Sequence, residues 1–226
     1  MKLSILLLIA FLPFGIQQGD YSKIKSVKTG SGTLLTDHLG QFYMFDDKQI
    51  TKYDQKGNRV CSYSNNQLGS ISHADVSDPL RIMLFYRDFN KLVFLDKNLA
   101  ELRDPISLDD LDIGQAEIAC SSSLGGFWVY DSDNQQLMYF NRNLQKEQTS
   151  VPLGTVVNLS EYPSYMLEKN NFVYVYLEEI GILIFDRFGA FYKKVPVECA
   201  SGFQIQNKFI VYFSDPCIIR YQPDLF

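Results

Sequence analysis

Asp37, Asp75 and Glu117 are the residues of this chain whose types and placing could do chemistry. They fall on three successive segments, 33–37, 72–76 and 116–121, which read as the innermost strands of repeated β units. Segments 163–168 and 203–206 continue the series. Two carboxylates on either side of a glycosidic bond are what its hydrolysis needs, one as general acid and the other as base or nucleophile. Inner strands that face water are also polar without any catalysis, and the short loops leave little material for sugar subsites. Hydrolysis is therefore expected to be absent, and no residue is assigned a catalytic role.

Other chemistries find less support. Asp131-Ser-Asp-Asn134 opens like a calcium loop, but it lacks the glycine at the sixth position and carries Arg142 where a bidentate glutamate belongs. It reads as a polar strand-to-strand turn. His38 and His73 are the only histidines, and Cys61, Cys120, Cys199 and Cys217 contain no CxxC spacing, so no metal site and no cofactor are expected. Cys199 and Cys217 flank the last unit on one side and are the candidate disulfide. Cys61 is expected on an outer strand and Cys120 on an inner one. Asn158-Leu-Ser160 matches a glycosylation sequon and carries little weight.

The elements that position these residues are organised by a repeat. Gly125 to Glu147 runs through paired glycines, an apolar strand, a polar turn, a second strand ending at Phe140-Asn141, and another turn. Four further copies place their anchors at Tyr53, Leu95, Phe185 and Tyr221, so that successive anchors lie 42, 45, 45 and 36 residues apart. Each anchor precedes Asp, Asn or Gln, whose short polar side chains suit the following turn. A β-rich period near 42 residues predicts an all-β, single five-bladed β-propeller with about four antiparallel strands per blade. Runs such as Phe172-Val-Tyr-Val-Tyr176 have the near-continuous apolarity of strands covered on both faces.

The pattern of strand, polar turn, strand and aromatic-Asp over roughly 30–222 resembles NHL-like and quinoprotein-like propellers. WD-repeat and Kelch signatures do not recur. The stretches Ser72 to Ile82, Phe85 to Asn90, Cys120-Ser-Ser-Ser and Gly126 to Asp131 resemble a group of exported propeller proteins of Bacteroidota-type bacteria with no assigned activity. Acidic residues on inner strands also resemble those of five-bladed propeller glycosidases. These resemblances imply a propeller fold and export.

Residues 1–19 carry Lys2 ahead of a short apolar run and read as a secretory signal peptide, too short to span a membrane. Residues 20–226 form one domain. Removing the leader moves the formal net charge from −5 to −6. With no basic cluster, nucleic acid is not an expected partner. The last repeat lacks length for an outermost strand, whereas 21–29 precedes the first blade and has none of its own. The ring is thus expected to close by pairing of this N-terminal strand beside 217–221.

Most of the 14 tyrosines and 17 phenylalanines are needed to fill the wedges between blades, and Trp128 is expected in the core. Tyr86, Arg87, Asp88 and Phe89, with Asp131 and Asp133, lie at turns on the face shared with the inter-blade connections. They are the candidate binding residues. The expected function is a non-enzymatic protein-interaction or scaffold module, exported to the periplasm or cell surface. Its expected partner is an envelope protein or complex, or a glycan, and no transmembrane segment is expected in the mature chain. A carbohydrate-binding propeller and a five-bladed glycoside hydrolase are the alternatives.

Overall fold

The computed structural model describes residues 32–197 and 202–223. Nineteen strands fall into five antiparallel sheets, each a simple meander. Blade 1 comprises β1 (Thr33–Thr36), β2 (Phe42–Phe45), β3 (Gln49–Tyr53) and β4 (Arg59–Ser64). Blade 2 comprises β5 (His73–Asp75), β6 (Ile82–Tyr86), β7 (Lys91–Leu95) and β8 (Ile106–Ser107). Blade 3 comprises β9 (Ala116–Ser121), β10 (Phe127–Asp131), β11 (Gln136–Phe140) and β12 (Lys146–Thr149). Blade 4 comprises β13 (Tyr165–Lys169), β14 (Phe172–Leu177), β15 (Gly181–Asp186) and β16 (Phe191–Val195). Blade 5 has three strands, β17 (Phe203–Gln206), β18 (Phe209–Ser214) and β19 (Cys217–Tyr221). The chain is a five-bladed β-propeller, and the predicted inner strands coincide with β1, β5, β9, β13 and β17.

The alternation of side chains along each middle strand explains how apolar runs build this ring. On β6, Ile82, Leu84 and Tyr86 pack with Tyr43 and Ile50 of blade 1. The intervening Met83 and Phe85 pack with Phe127 and Val129 of blade 3. The rule repeats on β10, where Trp128 and Tyr130 turn instead to Val173 and Val175 of blade 4. On β14, Tyr174 and Tyr176 turn to Phe203 and Ile210 of blade 5. Each middle strand therefore serves two interfaces and must be apolar at every position. Trp128, 1% exposed, is core as expected. The outer strands β4 and β12 alternate or are largely exposed, because only one side of them is covered.

The turn after each anchor uses one device four times. The Oδ1 atoms of Asp54, Asp96, Asn141 and Asp186 each accept backbone N–H bonds from residues two and four positions on. The residue three positions on, Gly57, Leu99, Leu144 or Gly189, adopts positive φ. In blades 1, 3 and 4 the pairing register slips by one residue beside this turn, as a bulge requires. Aromatic-Asp is thus a turn signal with a mechanism behind it.

Four of the five blade junctions hold an apolar cluster among the described residues. Between blades 5 and 1 there is instead a cleft of about 1030 Å³. Leu34, Phe45, Phe213 and Ile218 are among the residues that line it, and Ile218 is 60% exposed. The expected closing strand, residues 21–29, lies outside the described residues. So does Cys199 of the candidate disulfide; Cys217 is exposed at the start of β19. Cys61 sits on the outermost strand of its blade and Cys120, fully buried, on the innermost, as expected.

The paired glycines of blade 3 have separate reasons. Gly125 takes φ +85, a turn conformation that favours glycine. At Gly126 a Cβ would lie 1.9 Å from the backbone oxygen of Phe140, which cannot yield without breaking the β10–β11 ladder. Gly126→Ala should destabilise the protein by about 3 kcal/mol or more in urea unfolding, because the clash is with backbone in a packed core; unchanged stability would contradict the packing. Deletion of 21–29 should cost several kcal/mol of the ~5–15 available to a domain, and a deletion variant that melts unchanged would refute closure by that segment.

Candidate functional site

The inner-strand carboxylates divide by position along their strands. Asp37 directly follows β1 and Asp75 ends β5, whereas Glu117 is the second residue of β9 and therefore lies at the opposite end of the channel. Glu168, near the end of β13, takes the place expected of Glu117. Asp37, Asp75 and Glu168 all line a channel cavity of about 330 Å³. Glu168 is not among the carboxylates singled out by residue type and placing, although its position near the end of its inner strand matches that of Asp37 and Asp75.

Each of these carboxylates is occupied by structural hydrogen bonds. Asp37 Oδ1 accepts from the backbone N–H of Leu39 and Gln41, and its Oδ2 accepts from the Tyr43 hydroxyl at 2.9 Å. Asp75 Oδ1 accepts from Ser77 N–H, and its Oδ2 reaches across to blade 3 to accept from Ser121 N–H at 2.8 Å. Glu168 reaches the same blade from the other side. Its Oε1 accepts from the N–H and hydroxyl of Ser123, and its Oε2 accepts from Trp128 Nε1 at 2.9 Å. All three are buried, with 7–8% of each exposed. Arg81 adds a further link from blade 2 to blade 3, donating to the Gly126 carbonyl oxygen while its guanidinium lies 3.7 Å from the centre of the Phe94 ring.

At the channel's other end Glu117 Oε2 pairs with Arg87 Nη1 at 3.2 Å, the one ion pair among the described residues. Arg87, Asp88 and Phe89 form a 3-10 turn and are all exposed, Phe89 by 51%. Asn90 makes this turn rigid. It takes φ 50, donates from Nδ2 to Asp109 Oδ1 and the Ile113 carbonyl, and accepts at Oδ1 from Ala116 N–H. No local pattern announces these ties, since their partners lie in the connection to the next blade.

Two of the expected contact residues are withdrawn from the surface. Tyr86 is wholly buried, because the alternation of β6 directs it into the junction with blade 1. Asp131 is 1% exposed and caps its own turn, accepting from Asp133 N–H and Asn134 Nδ2. Asp133 remains exposed beside Gly114. The accessible set on this face is therefore Arg87, Asp88, Phe89 and Asp133. Among the described residues no group of three His, Cys, Asp or Glu could hold a metal ion. No helix among them is long and apolar enough to cross a membrane.

No protein-family model and no curated protein matches the sequence. Solved structures do match in fold. A streptogramin B lyase superposes with a TM-score of 0.55 at 13% identity, over 84% of this chain and 67% of that one. The WD40 domain of Pan2 from Neurospora crassa superposes with a TM-score of 0.57 at 10% identity, over 84% and 60%. BBS1N, solved in complex with ARL6DN, gives 0.55 at 10% identity, over 85% and 65%. The chain thus spans between 60% and 67% of these proteins' own lengths. At such identities the likeness is one of fold alone. These matches give no support to the expected resemblance to exported proteins of Bacteroidota-type bacteria.

Burial raises several tyrosine hydroxyls. Tyr86, Tyr130 and Tyr174 are each pushed from an ordinary 10.0 up to about 12, with loss of hydration the leading cause. The Tyr130 hydroxyl has no hydrogen-bond partner among the described residues, and Tyr162, Asp131 and Glu117 add to its shift. Between pH 10 and 12 the unfolded chain releases these protons while the folded one retains them. Stability is therefore complete below pH 10 and falls as pH rises through 12. Tyrosinate absorbance should show a late, steep step coincident with loss of far-UV signal; a smooth titration near pH 10 of every tyrosine would contradict the burial.

Proposed function

We propose that this chain is a non-enzymatic, exported β-propeller that holds a protein partner in the cell envelope, on the face carrying Arg87, Asp88, Phe89 and Asp133. The observation that carries the reading is Phe89. A large aromatic ring stands half exposed on a turn made rigid by Asn90, between charges of both signs. Its other edge rests on Gly69, where a Cβ would come within 3.0 Å of the ring. An aromatic and an arginine held in place before binding lose little entropy on complex formation, which is how binding energy concentrates in a few residues.

The inner carboxylates support a role without hydrolysis. Glycosidase chemistry needs one free acid and one free base or nucleophile facing the same bond. Here both oxygens of Asp37, Asp75 and Glu168 already accept hydrogen bonds from the fold, and Glu117 is paired at the far end of the channel. The WD40 domains among the similar structures are in keeping with an interaction role, and the acidic balance favours a protein over nucleic acid. Export rests on the 1–19 leader.

The combined variant Arg87→Ala, Asp88→Ala, Phe89→Ala should lose capture of its partner from native envelope extracts while its melting temperature stays within a few degrees, since Arg87 is half exposed in its pair with Glu117 and such a pair contributes about 1 kcal/mol. Tyr86→Ala, a core truncation, should instead lower the melting temperature sharply. Capture unaffected by the triple variant would remove this face from the account.

A further inference from the structure

The channel cavity holds acceptor capacity that the fold does not use up. His73 and Asp75 lie two residues apart on β5, hence on the same side of that strand, and both line the cavity with Tyr165 of β13. The edge of the His73 ring meets the Tyr165 ring at 5.7 Å, and Tyr165 meets Phe203 edge-on at 5.3 Å. Neither the His73 imidazole nor the Tyr165 hydroxyl has a hydrogen-bond partner among the described residues, and both residues are half-buried in the cavity wall. Burial lowers the imidazole pKa, with Asp75 opposing that shift, so at neutral pH the ring is uncharged and offers one nitrogen as acceptor.

The charge balance of the same cavity is negative. Asp37, Asp75 and Glu168 line it against Lys169, which is exposed at the mouth, and none of the three acids has an ion-pair partner among the described residues. Each Asp75 oxygen accepts one backbone N–H and keeps a second lone pair. Leu35, Met166 and Ile205 supply an apolar part of the wall, beside Thr36, His38, Ser77, Gln204 and Gln206. At about 330 Å³ the space suits a small organic molecule.

We propose that the channel is a binding site for a small primary ammonium ion on an apolar or aromatic body. An R–NH3+ group carries three donors and no acceptor. Asp75, His73 and Tyr165 supply three acceptors, with one carboxylate for the charge. The Tyr165 and Phe203 rings can take the cation or stack with the body. An inorganic cation fits less well, because among the described residues no three carboxylate, imidazole or thiolate ligands converge. An anion is opposed by the three acids. This site is independent of the Arg87–Phe89 face, and either can fail without the other.

The test is calorimetric or NMR titration of the full chain with 2-phenylethylammonium, against 2-phenylethanol as the uncharged analogue. The ammonium should bind saturably, at least about tenfold tighter than the alcohol, a difference of about 1.4 kcal/mol. Asp75→Asn should erase that preference. Because Asp75 also holds Ser121, Tyr165→Phe serves as a second variant that releases no backbone group; it should weaken the ammonium about threefold or more while leaving the alcohol unchanged. Equal affinity for the two probes, no binding of either at 10 mM, or an ammonium affinity unaltered in Tyr165→Phe would overturn the proposal.

Discussion

A blade of this protein has two apolar faces, and neither can be left in water. Everything else in the architecture follows from that constraint. Ile82, Leu84 and Tyr86 on one side of a strand and Met83 and Phe85 on the other can be covered only if blades stand on both sides. A sheet bounded this way has no reason to stop until it meets its own beginning. The ring is the arrangement that leaves no blade uncovered, and the cleft between blades 5 and 1 marks where the described chain has not yet met that demand.

Apolar stacking is non-directional, so it does not set how far one blade slides or rotates on the next. Directional bonds do that near the axis. Blade 3 is held from both neighbours, by Asp75 and Arg81 of blade 2 and by Glu168 of blade 4. Further out, Lys52 donates to the Lys97 carbonyl and Tyr63 to Glu101, tying blade 1 to blade 2. The carboxylates that look catalytic in the sequence are thereby part of the frame. What the frame leaves free is a face of short turns and a channel lined by unused acceptors, and both proposed binding roles follow from that division.

The sequence discloses the frame far better than the site, for physical reasons that particular residues show. Strands covered on both faces must be apolar throughout, so Phe172 to Leu177 is legible at sight, and Asp after an anchor is a local turn bond that any copy repeats. Blade 2 is harder. Its outer strand is reduced to a bridge at Glu101 and a pair at Ile106–Ser107, with no alternation to read. Glu117 groups with Asp37 and Asp75 because residue type and inner-strand membership are what the pattern displays, whereas the end of the strand decides which part of the channel a carboxylate faces. Tyr86 and Asp131 sit beside turns and so look like surface, yet β6 and β10 carry them inward before the turn begins. The ties of Asn90 and the hold of Glu168 on Trp128 join residues on different blades, and no local pattern encodes such a pair.

The claim on which this account rests is that inner carboxylates fasten blades. The direct measurement is a double-mutant cycle in urea unfolding between Glu168 and Trp128, using Glu168→Leu, Trp128→Phe and the double variant. The buried Nε1–H to Oε2 bond at 2.9 Å predicts a coupling energy of about 1–3 kcal/mol, because either single change strands a polar partner in the core. Additive effects, with a coupling indistinguishable from zero, would mean that Glu168 is not holding blade 3, and would return the carboxylates of the channel to the list of candidate catalytic groups.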